Sequence, residues 1–367
     1  MSNISLQHTP GKGPPKLSLG VVGWLRANLF SNWYNSVLTL IAMWILYNFF
    51  SGLISWGLLN AVFSAENFEG CRDQGTGACW PGVAANFQLF MVGPYPFDER
   101  YRTNLAFFLV AGTSLLAFFP SMRANKWYGI TWVLMGFVAF FLVRGVETFS
   151  LPVVDTNLWG GLLITVILSV VGIVLAFPIG IILALGRRSK LPVLRGLSVA
   201  YIELIRGVPL ITVLFMSSVM LPLFFPEGFN MDKLLRAQIG IIMFAAAYLA
   251  EVVRGGLQGL NKGQEEAAAA LGLSYWQTMT FIVMPQALRI VIPPIVSTFI
   301  SLLKDTSLVT IIGLFDMLGI TAMVSANPNW LGVVTESYIF VGFIYWAMCF
   351  GMSRYAVQLE KRFDTGR

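Results

Sequence analysis

The sequence predicts an all-α integral membrane protein of about eight transmembrane helices, on three observations. The 367 residues are 56% hydrophobic and only 11% charged, with a mean hydropathy of +0.72, whereas a soluble globular domain carries roughly 25% charged residues. Apolar windows close to the roughly 20 residues that cross about 30 Å of hydrocarbon recur along the chain. Lys and Arg alternate with acidic or uncharged connections between these windows, as they do when basic loops stay in the cytoplasm.

The eight windows fall at 37–62, 104–119, 128–143, 160–185, 199–225, 238–253, 290–303 and 337–352. Lys12, Lys16 and Arg26 precede the first with no acid among them, so the N-terminus is expected inside. That window begins beyond residue 35 and is too long for the apolar core of a signal peptide, so it is expected to stay as an anchor. The loop 63–103 holds five acids against three arginines and reads as periplasmic. Alternation then puts Arg123 and Lys126 inside, the cluster Arg187, Arg188, Lys190 and Arg195 inside, and Arg354, Lys361, Arg362 and Arg367 inside. Both termini are expected in the cytoplasm of a bacterial inner-membrane protein.

The net charge of +6 is thus a topological signal, and no basic stripe interleaved with stacking aromatics suggests nucleic acid. The expected surroundings are membrane lipid, with Trp33, Tyr34, Trp127, Tyr128 and Trp159 suited to the interfacial belts. Cys71 and Cys79 share the loop 63–103 with Gly75 and Gly77 between them, which allows either a disulfide in an oxidising periplasm or two free thiols. Cys349 lies in an apolar window and reads as packing. The single His, His8, sits in a Gly- and Pro-rich tail, so no metal or His-based catalytic site is expected. Pro152 and the acids around it mark a module boundary, giving a tail at 1–36, a three-span extension at 37–155 and a five-span core at 156–367.

Between the sixth and seventh windows lies a stretch, 255–289, that is not oil. Its segment EEAAAALGLSYWQTMTFIVMPQALR reads as two short helices: alanines ending at Gly272, then a start at Ser274 with Gln277 three residues on, a capping box. Pro285, Pro293 and Pro294 redirect the chain towards the membrane. A helix of alanines ending in Gly suits close backbone approach in the groove of another protein, and it also suits a plain re-entry loop.

Glu266, Ala267 and Ala268, then Gly272, Ile282 and Pro285, stand at the separations of the EAA loop of importer-type ABC transporter permeases, with Met284 where Leu is usual. The stretches YIELIRGVPL (201–210), AAYLAEVVRGGLQGLNKGQEEAAAALG (246–272) and ISLLKDTSL (300–308) resemble the permeases of polar amino acid uptake systems, and the added N-terminal spans resemble the longer permease type of bacterial amino acid systems. The resemblance implies a type I importer permease fold. It implies pairing with a second, homologous permease around a central pathway, two cytoplasmic ATPases receiving the EAA loops, and a periplasmic binding protein delivering an amino acid. Glu266 would face basic groups of the ATPase, Ala267, Ala268 and Gly272 would form the close-approach surface, and Pro285 would fix the exit. The sequence contains no phosphate-cradling GxxxxGK[ST], so ATP and Mg²⁺ are expected on the partner and no cofactor or enzymatic activity on this chain.

Charges at the edge of apolar spans need partners. Glu203 with Arg206, and Glu251 with Arg254, are each three apart and within ion-pair reach on one helix face. They fix packing near the cytoplasmic side, while Arg206, Gly207 and Pro209 also have the chemistry of a hinge. Lys304, Asp305, Thr306 and Ser307 interrupt the seventh window. They offer an anion and a cation to a zwitterionic amino acid, or an internal charge pair. Ser297, Thr298 and Ser301 line the route or bond back to their own helix. Two other classes remain: a secondary amino acid transporter, which predicts inverted repeats and mid-membrane acids, and a membrane assembly protein, which leaves the EAA spacing unexplained.

Overall fold

The computed structural model describes residues 20–363 except 117–118, 120–121, 123–124, 126, 227 and 229. His8, Lys12, Lys16, Arg123, Lys126 and Arg367 lie outside the described residues. Every regular element among the described residues is helical, as lipid demands of a chain that must satisfy its own backbone. The chain divides into two compact units, 1–81 and 82–367.

In the first unit, α1 (Val21–Asn28) precedes α2 (Trp33–Ile54), which continues as a π-type turn over Ser55–Leu59. No residue of α2 is buried, so its apolar surface is left for lipid or another chain. After it, α3 (Phe68–Gln74) starts on the Asn67 side chain, which accepts from Gly70 N. Cys71 and Cys79 form a disulfide across a Cα separation of 5.8 Å. The pairing works because the chain returns on itself: Val62 N donates to Ala78 O at 2.8 Å, and the Trp80 indole donates to Gly57 O at 2.8 Å.

The next helix, α4 (Trp80–Ala85), leads into the second unit, where α5 (Phe87–Val92), α6 (Arg100–Leu116) and α7 (Tyr128–Arg144) precede the long α8 (Gly161–Arg187). The turn between α5 and α6 is knitted by polar groups that hydrocarbon would otherwise orphan. Arg102, fully buried, reaches Glu99 at 2.9 Å and donates to Pro152 O at 3.0 Å. Tyr95 donates to Val143 O at 2.6 Å, and burial pushes its phenol above the usual range so that it stays a neutral donor. One apolar core joins Tyr95, Ala106, Ala139 and Val143 to Trp159, Leu163 and Ile164. The second and third apolar windows therefore belong to the same compact unit as the chain that follows them.

Behind a bend at 207–209 lie α9 (Pro192–Arg206) and α10 (Leu210–Val219). Then come α11 (Lys233–Gln258), α12 (Gly263–Ala270), α13 (Tyr275–Gln277), α14 (Met284–Ile290), α15 (Ile292–Asp305), α16 (Met317–Ser325) and α17 (Val334–Phe363). The centre is α8 against α11. Gly172, Ala176, Gly180 and Ala184 make a buried stripe along α8, and a Cβ on Gly180 would stand 2.8 Å from Leu249 Cβ and 3.2 Å from Ala246 O. Small residues four apart let two helices approach where oil offers no hydrophobic drive.

Among the described residues five helices are long and apolar enough to cross a membrane, and α9 with α10 make a sixth, bent by 107°. The 17-residue helices α6 and α7 occupy the two remaining windows. The window 199–225 is thus not the straight span that hydropathy suggests. Gly207 ends α9, and Pro209, with φ −59° and ψ 142°, opens α10 in an extended conformation that a helix cannot carry.

Candidate functional site

The stretch after α11 folds as a helical hairpin. Two acids, Glu265 and Glu266, sit in the first turn of α12, where the helix dipole favours them. Gly272 takes φ +73°, the left-handed conformation that closes a helix, and Leu273 N donates to Ala268 O at 3.1 Å. Ser274 caps α13, its side chain accepting from Gln277 N while the Gln277 side chain accepts from Ser274 N. A π-type turn over Thr278–Val283 carries Ile282 into α14, where Pro285 occupies the first turn and needs no N–H.

The hairpin is fastened to the spans. Met279, Val283 and Ala287 pack with Ala250, Val253 and Leu257 of α11 and with Ala184 and Ile202. A Cβ on Gly256 would stand 2.6 Å from Ala287 O, so α11 and α14 are as close as backbones allow. Arg188 reaches Glu265 at 2.8 Å, and Gln286 donates to Gln264 at 3.1 Å.

The motif residues divide between anchor and surface. Ala268 is 1% exposed: it packs inside this chain and is unavailable to another, so the expected close-approach surface loses it. Glu266, Ala267, Gly272 and Pro285 are exposed and Ile282 is half-buried. Beside them stand large apolar side chains that the motif spacing does not flag: Leu271 at 78%, Phe281 at 74%, Trp276 at 68% and Tyr275 at 51% exposure. Exposed apolar side chains gathered on one short hairpin, with the Tyr275 and Trp276 rings edge-on at 5.3 Å, suit an interaction surface. Its sequence signal is the run Leu271, Tyr275, Trp276, Phe281 inside a segment too polar to be a span.

The ion pairs regroup. Glu203 pairs with Arg187 at 2.9 Å and Arg206 with Glu251 at 3.3 Å, so the expected Glu203–Arg206 pair on one helix face is replaced by pairs across helices. Glu251 and Arg254 do pair, at 2.8 Å. Glu251 also reaches Arg187 at 2.9 Å, and so serves three guanidinium groups from α8, α9 and α11. Arg206 further stacks over the Tyr248 ring at 5.4 Å. This network fixes the elbow at 207–209 against the end of α11, from which the hairpin departs. Arg187 was legible only as a topological charge, because its partners lie on two other helices.

On α15, Ser297, Ser301 and Lys304 are exposed and share one face, while Ile295 and Leu302 are buried on the other. Thr298 bonds back to Pro294 O at 2.9 Å, Thr306 to Leu303 O at 2.8 Å and Ser307 to Lys304 O at 2.8 Å. Asp305 is half-buried, and no salt bridge joins it to Lys304 among the described residues. At Thr306 the α-helix tightens into a 3₁₀ helix to Ile312.

A multi-pass helical membrane protein with a buttressed hairpin between its last long spans is the architecture of a transport permease. The chain belongs to the family described as binding-protein-dependent transport system inner membrane component, which matches residues 176–365. The inner membrane amino-acid ABC transporter permease protein YhdY of Escherichia coli K12 is 48% identical over 368 residues, covering 100% of this chain and 99% of that protein. The glutamate/glutamine/aspartate/asparagine transport system permease protein BztC of Rhodobacter capsulatus is 37% identical, covering 99% of each. The probable glutamine ABC transporter permease protein GlnP of Bacillus subtilis is 38% identical over 56% of this chain and 93% of its own length.

Proposed function

We propose that this chain is one permease of an ATP-driven importer of polar amino acids, working by alternating access. It pairs with a second, homologous permease, receives substrate from a periplasmic binding protein and takes its energy from two cytoplasmic ATPases that hold the ATP and Mg²⁺. Both termini are then cytoplasmic and the disulfide-bearing loop is periplasmic. The polar amino acid class is supported by the substrates in the names of the Rhodobacter and Bacillus relatives.

The observation that carries the reading is the set of exposed apolar side chains Leu271, Tyr275, Trp276 and Phe281 on a hairpin otherwise pinned to the spans. A rigid lever with an uncovered tip transmits a partner's motion. An unanchored loop would absorb it. The exposed stripe Ser297, Ser301 and Lys304 supports an aqueous route on that side of α15, because polar groups at membrane depth face a cavity or another chain. Within that route Asp305 and Lys304 bracket the ammonium and carboxylate of the amino acid.

Glu266→Lys tests the coupling. Glu266 is exposed and outside every candidate span, so insertion and folding should be normal while substrate-stimulated ATP hydrolysis by the complex in nanodiscs falls about tenfold or more, the effect of about 1.4 kcal/mol at the contact. Full stimulation with unchanged uptake would reduce the hairpin to a re-entry loop.

A further inference from the structure

Below the hairpin, where α8 and α11 end and α12 begins, lies a cavity of about 480 Å³. Arg187, Arg188, Arg195, Arg254 and Lys262 line it against one carboxylate, Glu265. The internal pairs do not neutralise it. Arg188 is bound to Glu265, Arg187 to Glu203 and Glu251, and Arg254 to Glu251, which leaves two cations of the lining uncompensated. Among the described residues no salt bridge engages Arg195 or Lys262. Like charges gathered in one concave site focus a positive field that an anion relieves. Guanidinium groups from several directions match the oxygens of a phosphate through paired N–H donors.

The helix carrying Arg195 has a second character. Leu191, Val193, Leu194 and Leu197 at its start are exposed, and a shallower cavity of about 540 Å³ beside the first shares Arg195 and Val199 and adds Ser189 and Lys190. Cations set next to uncovered apolar side chains, at the end of a membrane-crossing helix, suit an amphiphile lying at the bilayer surface, and basic pockets between spans take anionic headgroups.

We propose that this pocket binds a phosphate-bearing anion, supplied by an anionic phospholipid of the adjacent leaflet or by the soluble phase. Where the anion is a lipid headgroup, it ties the foot of the hairpin to the bilayer surface. The proposal is independent of the coupling function and stands or falls on binding alone.

The test uses the full-length chain in nanodiscs of phosphatidylcholine with and without phosphatidylglycerol, with bound lipid read by native mass spectrometry. Each cation near an anionic surface contributes about 1 kcal/mol, so the double variant Arg195→Gln, Lys262→Gln should weaken phosphatidylglycerol retention about thirtyfold. Lys361→Gln, an exposed cation on α17, should leave retention as in the wild type. Arg195→Lys, which keeps the charge, should hold retention near the wild type and so separates lost charge from lost folding. In lipid-free detergent, inorganic phosphate is the second probe. A phosphate-dependent rise in unfolding temperature that the double variant lacks, with no preference for phosphatidylglycerol, assigns the anion to the soluble phase. Undiminished retention in the double variant with no phosphate response, or equal loss in Lys361→Gln, overturns the proposal. So does a photo-crosslinker at position 195 that captures an acidic protein segment instead of lipid.

Discussion

At Gly272 two requirements meet, and they can be separated. The residue holds φ +73°, and a Cβ there would meet nothing within 4 Å. Within this chain, then, the constraint is conformational, and any steric one must come from a partner. A β-branched residue in the left-handed region costs about 1–3 kcal/mol whatever the space, so Gly272→Val confounds the two. Gly272→Asn does not, because Asn tolerates that region. The variant should keep a wild-type unfolding temperature yet lose about tenfold of substrate-stimulated ATP hydrolysis if a partner backbone lies against the glycine; normal hydrolysis would leave the turn as the sole reason for it. The sequence was explicit about this corner: Gly272, Ser274 and Gln277 declare a helix stop and a capping box by identity and spacing alone. Glu251 is the opposite case. Its three arginines come from three helices, and no spacing along the chain announces Arg187 as a partner. Glu251→Gln leaves those cations facing only Glu203. Breaking a fully buried pair costs about 3–5 kcal/mol. Here the partial exposure of Arg206 and Arg254 reduces the loss to about 1–3 kcal/mol. Thermal unfolding in detergent should show it, and an unchanged midpoint would demote the network to surface decoration.

Helices were legible as apolar windows, but their contacts and breaks were not, because hydropathy averages over a window and is blind to direction. The elbow between α9 and α10 is the clearest instance: the apolar run continues through it while the backbone turns by 107°. The clue is chemical, Gly207 and Pro209 in the middle of the run, residues that from the sequence alone suit a hinge within a span. The α8–α11 contact has a similarly quiet signal, small residues at 172, 176, 180 and 184 among larger ones. Where a Cβ already stands too close to Leu249 and Ala246, a valine cannot be housed without parting the helices. Gly180→Val should therefore destabilise the chain by about 1–3 kcal/mol or more through overpacking. Gly196→Val, at a position of α9 with nothing within 4 Å, should leave stability unchanged or raise it by about 0.5 kcal/mol or less, since valine is a better helix former than glycine. Comparing the two unfolding midpoints tests the contact, and equal shifts would mean that α8 and α11 have room between them.

Over the whole molecule, composition and charge suffice for the class, since 56% hydrophobic residues in 367 have nowhere to go but a bilayer. How the chain divides is a matter of which side chains share a core, and that is invisible until the helices are packed. Reading from Pro152 and its acidic neighbours puts a boundary near residue 155. The compact units instead meet at Pro81 and Gly82, and the reason is specific. Trp159 is buried in one core with Tyr95, Ala139 and Val143, its ring edge-on to Phe140 at 5.8 Å. Pro152 itself, the residue that looked like a linker, supplies the carbonyl that accepts from the buried Arg102. A linker does not hold the partner of a buried charge. Two truncations therefore separate. Removing residues 1–81 deletes one compact unit and leaves this second core closed, so the remaining chain should purify as a monodisperse species with a cooperative unfolding transition. Removing residues 1–155 strips Tyr95, Ala106, Ala139 and Val143 from the core they share with Trp159 and Leu163. Loss of even one large core side chain costs about 2–5 kcal/mol, and here several go at once, so the product should aggregate or lose cooperative unfolding. Size-exclusion chromatography and thermal unfolding of both truncated chains in one detergent make the comparison. If the shorter product folds as well as the longer one, α6 and α7 are an ornament on an independent core and the division belongs at residue 155 after all.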